Sequence, residues 1–154
     1  MRSKRLAIFA MSAFIALMSV GVFSVDSNVS KEKIGSLFTL WNSSLQTGDP
    51  DKVARTYADD AVLLPTMSKK IRRGHEEIED YFKNFLKLGP RGKIEEESIR
   101  VYGDIAINSG LYTFCIVKDG IPSHVKARYT FIYRKLGDKW QIVEHHSSFL
   151  PEEE

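Results

Sequence analysis

The second half of the chain alternates between apolar and polar residues, and this feature constrains the fold most strongly. Four segments with a period of two, the period of β-strands, follow one another over residues 93–150. Short turn sequences separate them at 103–104, 118–120 and 136–138, each with a glycine and an aspartate. Because short turns join antiparallel neighbours, the sequence predicts an antiparallel meander.

The first half has helical periodicity instead. Residues 30–47 repeat apolar side chains at steps of three and four, with Ser30 as a candidate N-cap. A second, short helix is predicted to begin after Asp49, with Pro50 at its first position, and to end near Tyr57. The rest of this half is predicted as a strand, a loop and a third helix, over residues 61–65, 66–74 and 75–88.

The element order α-α-β-α-β-β-β-β predicts an α+β fold. A sheet of this kind needs a cover on its apolar face, and the amphipathic helices are the segments that can supply it. We therefore expect a curved antiparallel sheet that wraps as a cone around the N-terminal helix. A pocket is expected between helix and sheet.

The N-terminal segment has the composition of a secretory signal peptide. MRSKR carries positive charge and precedes a long uncharged apolar run, and Val22 and Ser24 are small enough for the −3 and −1 positions of a cleavage site. Residues 1–24 are therefore predicted as a signal peptide, and 25–154 as a single cone-shaped, association-like domain that is secreted or periplasmic. The run is also close to the length that spans a bilayer, so an uncleaved anchor is the alternative. Only in that case is membrane contact expected.

The charge balance argues against a nucleic-acid-binding protein. The full chain has 22 Lys and Arg and 20 Asp and Glu, for a formal net charge of +2. Removing the signal peptide takes away Arg2, Lys4 and Arg5, which leaves 19 cationic side chains against 20 anionic ones and a net charge of −1. Nucleic-acid binding needs clustered positive charge, and the short KKIRR run at 69–73 is expected to be a solvated loop.

The strand predicted at 105–117 is apolar on both faces. The helices can cover one face, so the other is expected to meet a second copy of the chain, in a homodimer or a larger ring. The alternative is a central strand that is simply rich in β-forming residues. The single cysteine, Cys115, excludes an intramolecular disulfide and is expected to be a small buried side chain. One face carries Ile105, Ile107, Leu111, Cys115 and Val117, and the other Ala106, Tyr112, Phe114 and Ile116.

The last strand, within WQIVEHHSSFLP, is unusually polar. Because neighbours on a strand alternate, His145 and His146 are expected to point to opposite faces, with Glu144 and Ser148 beside His146 and Ser147 beside His145. A glutamate two residues from a histidine can support acid–base chemistry. The alternative is a hydrogen-bonded polar seam that holds the strand or a subunit contact.

Further polar and aromatic side chains are candidates for a pocket. Arg128 needs an anionic partner if it faces the interior and is solvated if it faces outward. Tyrosines can line a pocket and donate hydrogen bonds. No nucleophile, zinc or dinucleotide motif of the forms G-x-S-x-G, H-E-x-x-H or G-x-G-x-x-G is present, so no catalytic residue, metal or cofactor is predicted. The ligand-binding residues predicted from these side chains are Tyr57, Tyr112, Arg128, His145, His146 and Ser147.

These segments resemble a known family. ARYTFIYRKLGDKWQIVEHHSSFLP, with YADDAVLLPT, GHEEIEDYFKNFL and AINSGLYTF, is similar to the association (hub) domain of calcium/calmodulin-dependent protein kinase II. The similarity is stronger to that domain's free-standing bacterial relatives in the nuclear transport factor 2-like (SnoaL-like) superfamily, which are often labelled as an oxidoreductase family. It covers about residues 31–151. The resemblance implies ring assembly and a cone pocket that holds small anionic or polar ligands. It also implies that the strand face with Arg128 and Thr130 corresponds to the arginine-bearing face of the hub, which adds Thr130 to the predicted ligand-binding residues.

The resemblance also marks a difference. Where a hub arginine would follow the last-strand histidine His146, this chain has Ser147, so one anion-binding charge is missing. No kinase domain or calmodulin-binding segment is present in this sequence, and no kinase activity is expected.

The sequence is compatible with two functions. The first is a secreted, self-associating, hub-like domain with a small-molecule pocket and no catalytic role. The alternative is a small cone-fold enzyme with isomerase- or cyclase-like acid–base chemistry on a small hydrophobic substrate, using Glu144 and His146 or using His145. An oxidoreductase has little support, because no dinucleotide fingerprint is present and one buried cysteine makes poor redox chemistry.

Overall fold

The computed structural model describes residues 29–152 of the chain. The predicted signal peptide, residues 1–24, lies outside the described residues. Between residues 29 and 152, none of the helices combines the length and the apolar character needed to cross a bilayer.

Three α-helices form where helical periodicity predicts them. Helix α1 spans Lys31–Leu45, and the Ser30 hydroxyl accepts a hydrogen bond from the Lys33 backbone N–H at 3.2 Å, which confirms the predicted N-cap. Helix α2 spans Pro50–Ala54 and is capped by the Asp49 carboxylate. Helix α3 spans Gly74–Phe85 and continues as a 3-10 helix over Leu86–Leu88, which ends at Gly89 in the left-handed conformation.

Six strands form one sheet. The predicted meander is confirmed: its four strands pair antiparallel in chain order at one side of the sheet. At the other side, β1 pairs parallel to β6, and a two-residue strand, β2, pairs with β1. The bounds are β1 Tyr57–Leu64, β2 Arg72–Arg73, β3 Arg91–Tyr102, β4 Ile105–Lys118, β5 Ile121–Leu136 and β6 Lys139–Phe149.

Two details differ from the sequence prediction. β1 begins at Tyr57 rather than at Ala61, and residues 72–73 form a strand inside the segment predicted as a loop. Alternation over the polar YADD segment is weak as a sequence signal, yet Tyr57 lies opposite Ile142 in β6 and is stabilised there by the sheet. A two-residue strand carries no readable period at all.

The sheet separates two faces. The inner face packs on α1, α2 and α3 in one core, which includes Trp41, Phe82, Tyr112, Phe131 and Ile142. The alternate residues of β4, among them Ile105, Ile107 and Leu111, lie on the outer face and are half-buried. The two apolar faces predicted for this strand are thus confirmed.

The single cysteine is less buried than predicted. Cys115 is only half-buried, because it lies opposite His124 on the outer face and not among the core residues.

Two bulges give the sheet its curvature. In β3 the register shifts between Ile94 and Glu96, and the backbone there approaches Gly110 of β4 so closely that a Cβ on Gly110 would lie 1.9 Å from the Glu96 carbonyl oxygen. In β6 the register shifts around Val143. Bulges bend a strand and increase its twist, and here they curl the sheet over α1 into the predicted cone.

Candidate functional site

A small cavity lies inside the cone, with a volume of about 30 Å³. Trp41 of α1, Phe82 and Phe85 of α3 and the inner faces of the central strands line it. The segment after β1 closes one side with Thr66 and Met67, and Met67 is 45% exposed. Among the described residues that line it there is no Asp, Glu, Lys or Arg side chain, and His145 is the one side chain whose ordinary pKa lies near neutral pH.

Three buried side chains beside the cavity are linked by hydrogen bonds. Trp41 Nε1–H donates to the Tyr57 hydroxyl at 3.1 Å, and this hydroxyl lies 2.9 Å from Nδ1 of His145. The imidazole of His145 is only 3% exposed, and Phe131 stacks on it with a centroid distance of 3.9 Å. The ring is therefore held both by a hydrogen bond in its plane and by an aromatic face.

These hydrogen bonds favour one tautomer of His145. The Tyr57 hydroxyl accepts from Trp41, whose indole can only donate, and its own proton is paired only when it is given to Nδ1 of His145. Nδ1 is then the acceptor, and the proton of the neutral ring sits on Nε2. Among residues 29–152, Nε2 is buried and has no hydrogen-bond partner.

Burial keeps both members of this pair uncharged. Loss of water around the ring, with a smaller contribution from the charge of His146, lowers the pKa of His145 to about 3. Burial likewise raises the pKa of Tyr57 well above that of a free phenol. At neutral pH the site thus offers hydrogen bonds without charge.

A second polar group in the cavity consists of hydroxyls. Tyr112 donates to Ser147, and Ser147 hydrogen-bonds Thr66. Burial raises the pKa of Tyr112, so its hydroxyl stays protonated. Two hydrogen bonds thus link these three side chains, and they connect β4, β6 and the segment after β1.

One inner polar residue was missed at the sequence level. Asn108 of β4 is fully buried, accepts from the Tyr129 hydroxyl at 3.0 Å and donates to Glu97 at 3.1 Å. Its position two residues after Ala106 puts it on the core face, and an amide at such a position needs partners. The two-residue spacing from Ala106 could therefore have identified Asn108 in the sequence.

The structure divides the predicted ligand-binding residues into two sets. Tyr57, Tyr112, His145 and Ser147 face the inside of the cone and lie on or next to the cavity. The others, Arg128, Thr130 and His146, face outward, because Arg128 and Thr130 lie opposite outer-face positions of β4 and His146 lies opposite Thr130. The seven side chains therefore do not all line one pocket.

The same geometry separates the candidate acid–base pair. Glu144 and His146 share the outer face, opposite Ile132 and Thr130, whereas His145 points inward alone. No carboxylate lines the cavity beside His145.

One histidine–carboxylate cluster has spacing that would suit a metal. Asp51, His75 and Glu79 bring one ligand atom each within 4.8 Å of one another between α2 and α3. Arg55 pairs with Asp51 at 2.7 Å and Lys83 with Glu79 at 3.1 Å, so both carboxylates already have cationic partners. The cluster is accounted for as an ion-pair network that joins the two helices.

Comparison with known proteins decides the family. Residues 30–151 match the family described as calcium/calmodulin dependent protein kinase II association domain. This chain belongs to that family. A crystal structure from Xanthomonas campestris described as such an association domain is 44% identical to it, with a TM-score of 0.79, and the match covers 82% of this chain and 92% of that one. No curated protein matches the sequence.

The fold of this association domain is the nuclear transport factor 2-like cone. A protein of that superfamily from Salmonella enterica serovar Typhimurium is 19% identical with a TM-score of 0.69, over 79% of this chain and 91% of that one. A protein from Streptomyces avermitilis, described as a dehydratase of the same family, is 15% identical with a TM-score of 0.70, over 79% and 97% of the two chains. At such identities the likeness shows the fold alone.

Proposed function

We propose that this association-domain chain is an exported, self-associating module with a small-molecule pocket in its cone and no catalytic role. The observation that carries the proposal is an apolar area on the outer face of the sheet, here called the outer patch. It is formed by Ile105, Ile107 and Leu111 of β4 with Ile132 of β5, and Ile107 lies directly opposite Ile132.

The outer patch lies on the side of the sheet that α1, α2 and α3 do not cover. Those helices pack in the core with the alternate, inward residues of the same strands. Charged side chains border the patch, since Arg128 lies opposite Leu111 and Arg100 opposite Ile107. Apolar areas with a polar border are typical of protein–protein interfaces, and burial against a second copy would remove these side chains from water.

Two observations favour binding over catalysis. The Glu144–His146 pair, which was the better acid–base candidate, faces outward on the sheet and not toward the cavity. The inner histidine, His145, stays neutral and has no carboxylate beside it to accept or supply a proton. The enzyme alternative would need a proton-transfer partner brought by the substrate itself.

Native mass spectrometry of the full-length gene product purified from its own host tests the proposal. We expect a homodimer or a larger ring, and a subunit mass that shows cleavage after Ser24. The variant Ile107→Asp places a charge in the outer patch and should weaken assembly roughly 30-fold or more, as at a central interface residue.

Val117→Asp is the matched control, since Val117 is an exposed residue at the far end of the same strand. This variant should assemble normally. A wild-type protein that is monomeric at micromolar concentration would refute self-association, and an intact N-terminus would refute cleavage.

A further inference from the structure

Nε2 of His145, a residue that borders the cavity, is buried and has no hydrogen-bond partner among residues 29–152. We propose that the cone binds a small uncharged molecule that has a flat apolar body and a hydrogen-bond acceptor such as a carbonyl oxygen, and that Nε2–H of His145 donates to this acceptor. The inference rests on the proposed pocket function and specifies the chemical class of its ligand.

The neighbours of His145 favour this donor. Trp41 donates to the Tyr57 hydroxyl, and the proton of this hydroxyl is paired when Nδ1 of His145 accepts it, which places the proton of the neutral ring on Nε2. Nε2 is buried and has no partner among the described residues, although His145 borders the cavity. An unpaired buried donor is unfavourable, so the site favours an occupant that brings an acceptor.

The charge of the lining excludes an ion. No lysine or arginine side chain lines the cavity, and His145 remains neutral because burial lowers its pKa. An anion would lose its hydration without gaining a counter-charge, and a cation would meet no carboxylate. The hydroxyls of Tyr112, Ser147 and Thr66 hydrogen-bond one another and do not replace such a charge.

The aromatic walls of the cavity favour a ligand of flat shape. Trp41, Phe82, Phe85 and Phe114 present aromatic surfaces to the cavity, which suits a flat apolar body. The present volume of about 30 Å³ accommodates a water molecule, so a larger ligand needs one wall to move. Met67 is the mobile candidate, because it is half-exposed at the rim and its unbranched side chain adapts easily.

Three probes of nearly the same size test this on the full chain. Acetophenone carries the acceptor, α-methylstyrene replaces its oxygen by a methylene group, and benzoate adds a negative charge. Binding is followed by NMR of protein labelled with ¹⁵N in its histidines, which also reports which ring nitrogen is protonated. We expect the proton of His145 on Nε2 and binding of acetophenone about tenfold tighter than that of α-methylstyrene. Benzoate should bind more weakly still.

His145→Phe keeps an aromatic ring but removes the donor. It should abolish the preference for acetophenone over α-methylstyrene, whereas His124→Phe, on the exposed end of β5, should preserve it. Since His145→Phe also removes the acceptor for Tyr57, its folding is checked by circular dichroism. The three-probe comparison on the wild type stands without any variant.

Three results would overturn the inference: tighter binding of benzoate than of acetophenone, a proton on Nδ1, or a cavity that takes up water only and none of the probes. The same samples are weighed by native mass spectrometry. Assembly without probe binding would refute the ligand class alone, while probe binding by a monomer would refute the proposed self-association alone.

Discussion

The inner and outer faces of β5 are made by alternating residues of one strand, yet they meet different surroundings. Phe131 is fully buried between Trp41 and His145, at ring distances of 5.3 and 3.9 Å. Its neighbour Ile132 points the other way and is only half-buried. The difference shows that alternation assigns residues to faces, whereas the layers packed on each face decide how much each residue contributes to stability.

Polar residues follow the same division. The buried polar residues of the inner face, Asn108, His145 and Ser147, are uncharged, and each is hydrogen-bonded to a tyrosine hydroxyl. The outer face carries ion pairs, such as that of Arg134 with Asp60. A charge inside the cone would lack water and a counter-charge, whereas outside it keeps both.

The largest change in the free energy of unfolding is expected for Phe131→Ala, and Ile132→Ala is its comparison. Removing the buried ring should lower the free energy of unfolding by about 3–5 kcal/mol, and removing the half-buried side chain by less than about 2 kcal/mol. Urea denaturation measures both. If the outer patch is an interface, the effect of Ile132→Ala should also depend on protein concentration, and that of Phe131→Ala should not. Equal losses for the two variants would contradict the division between the faces.

The second prediction uses pH to probe the inner face. The folded state holds the pKa of His145 near 3, below the ordinary value of 6.5, so the unfolded state binds more protons between these values. Stability is therefore fully present above pH 6.5 and is lost as the pH falls. Between pH 7.5 and pH 5 the loss from this group should reach about 2 kcal/mol.

The control for this pH dependence is His145→Phe, which cannot titrate at that position. The difference in slope between the wild type and this variant isolates the contribution of His145 from those of the carboxylates and the other histidines. Identical slopes would mean that the ring is not held neutral inside the cone.

The smallest effect is expected on the outer face. Asp60→Asn breaks the ion pair in which Arg134 Nη2 donates to Asp60 Oδ1 at 3.0 Å, and the Asp60 side chain is 67% exposed. Exposed pairs contribute little, so the loss should stay below about 1 kcal/mol and shrink with added salt. Thermal unfolding at low and high salt measures this loss. A larger loss that does not depend on salt would indicate that Asp60 and Arg134 are buried in an assembly.

Much of the fold was predictable from local signals. Period-two alternation with glycine-containing turns located the meander, and Ser30 and Asp49 located the starts of two helices. The parallel pairing of β1 with β6 was not predictable, because α3 and the first three strands of the meander separate these two strands in the chain.

Residue alternation is enough to place the two adjacent histidines of the last strand on opposite faces and to show that β4 is apolar on both. Which histidine lies inside depends on how the strands pair in the folded sheet. Strict alternation from the buried Ile142 would turn Glu144 and His146 inward, but the bulge at Val143 adds one residue and turns His145 and Ser147 inward instead. A bulge shifts every later side chain to the other face, and its position belongs to the pairing of β6 with β5, which alternation along β6 alone does not reveal.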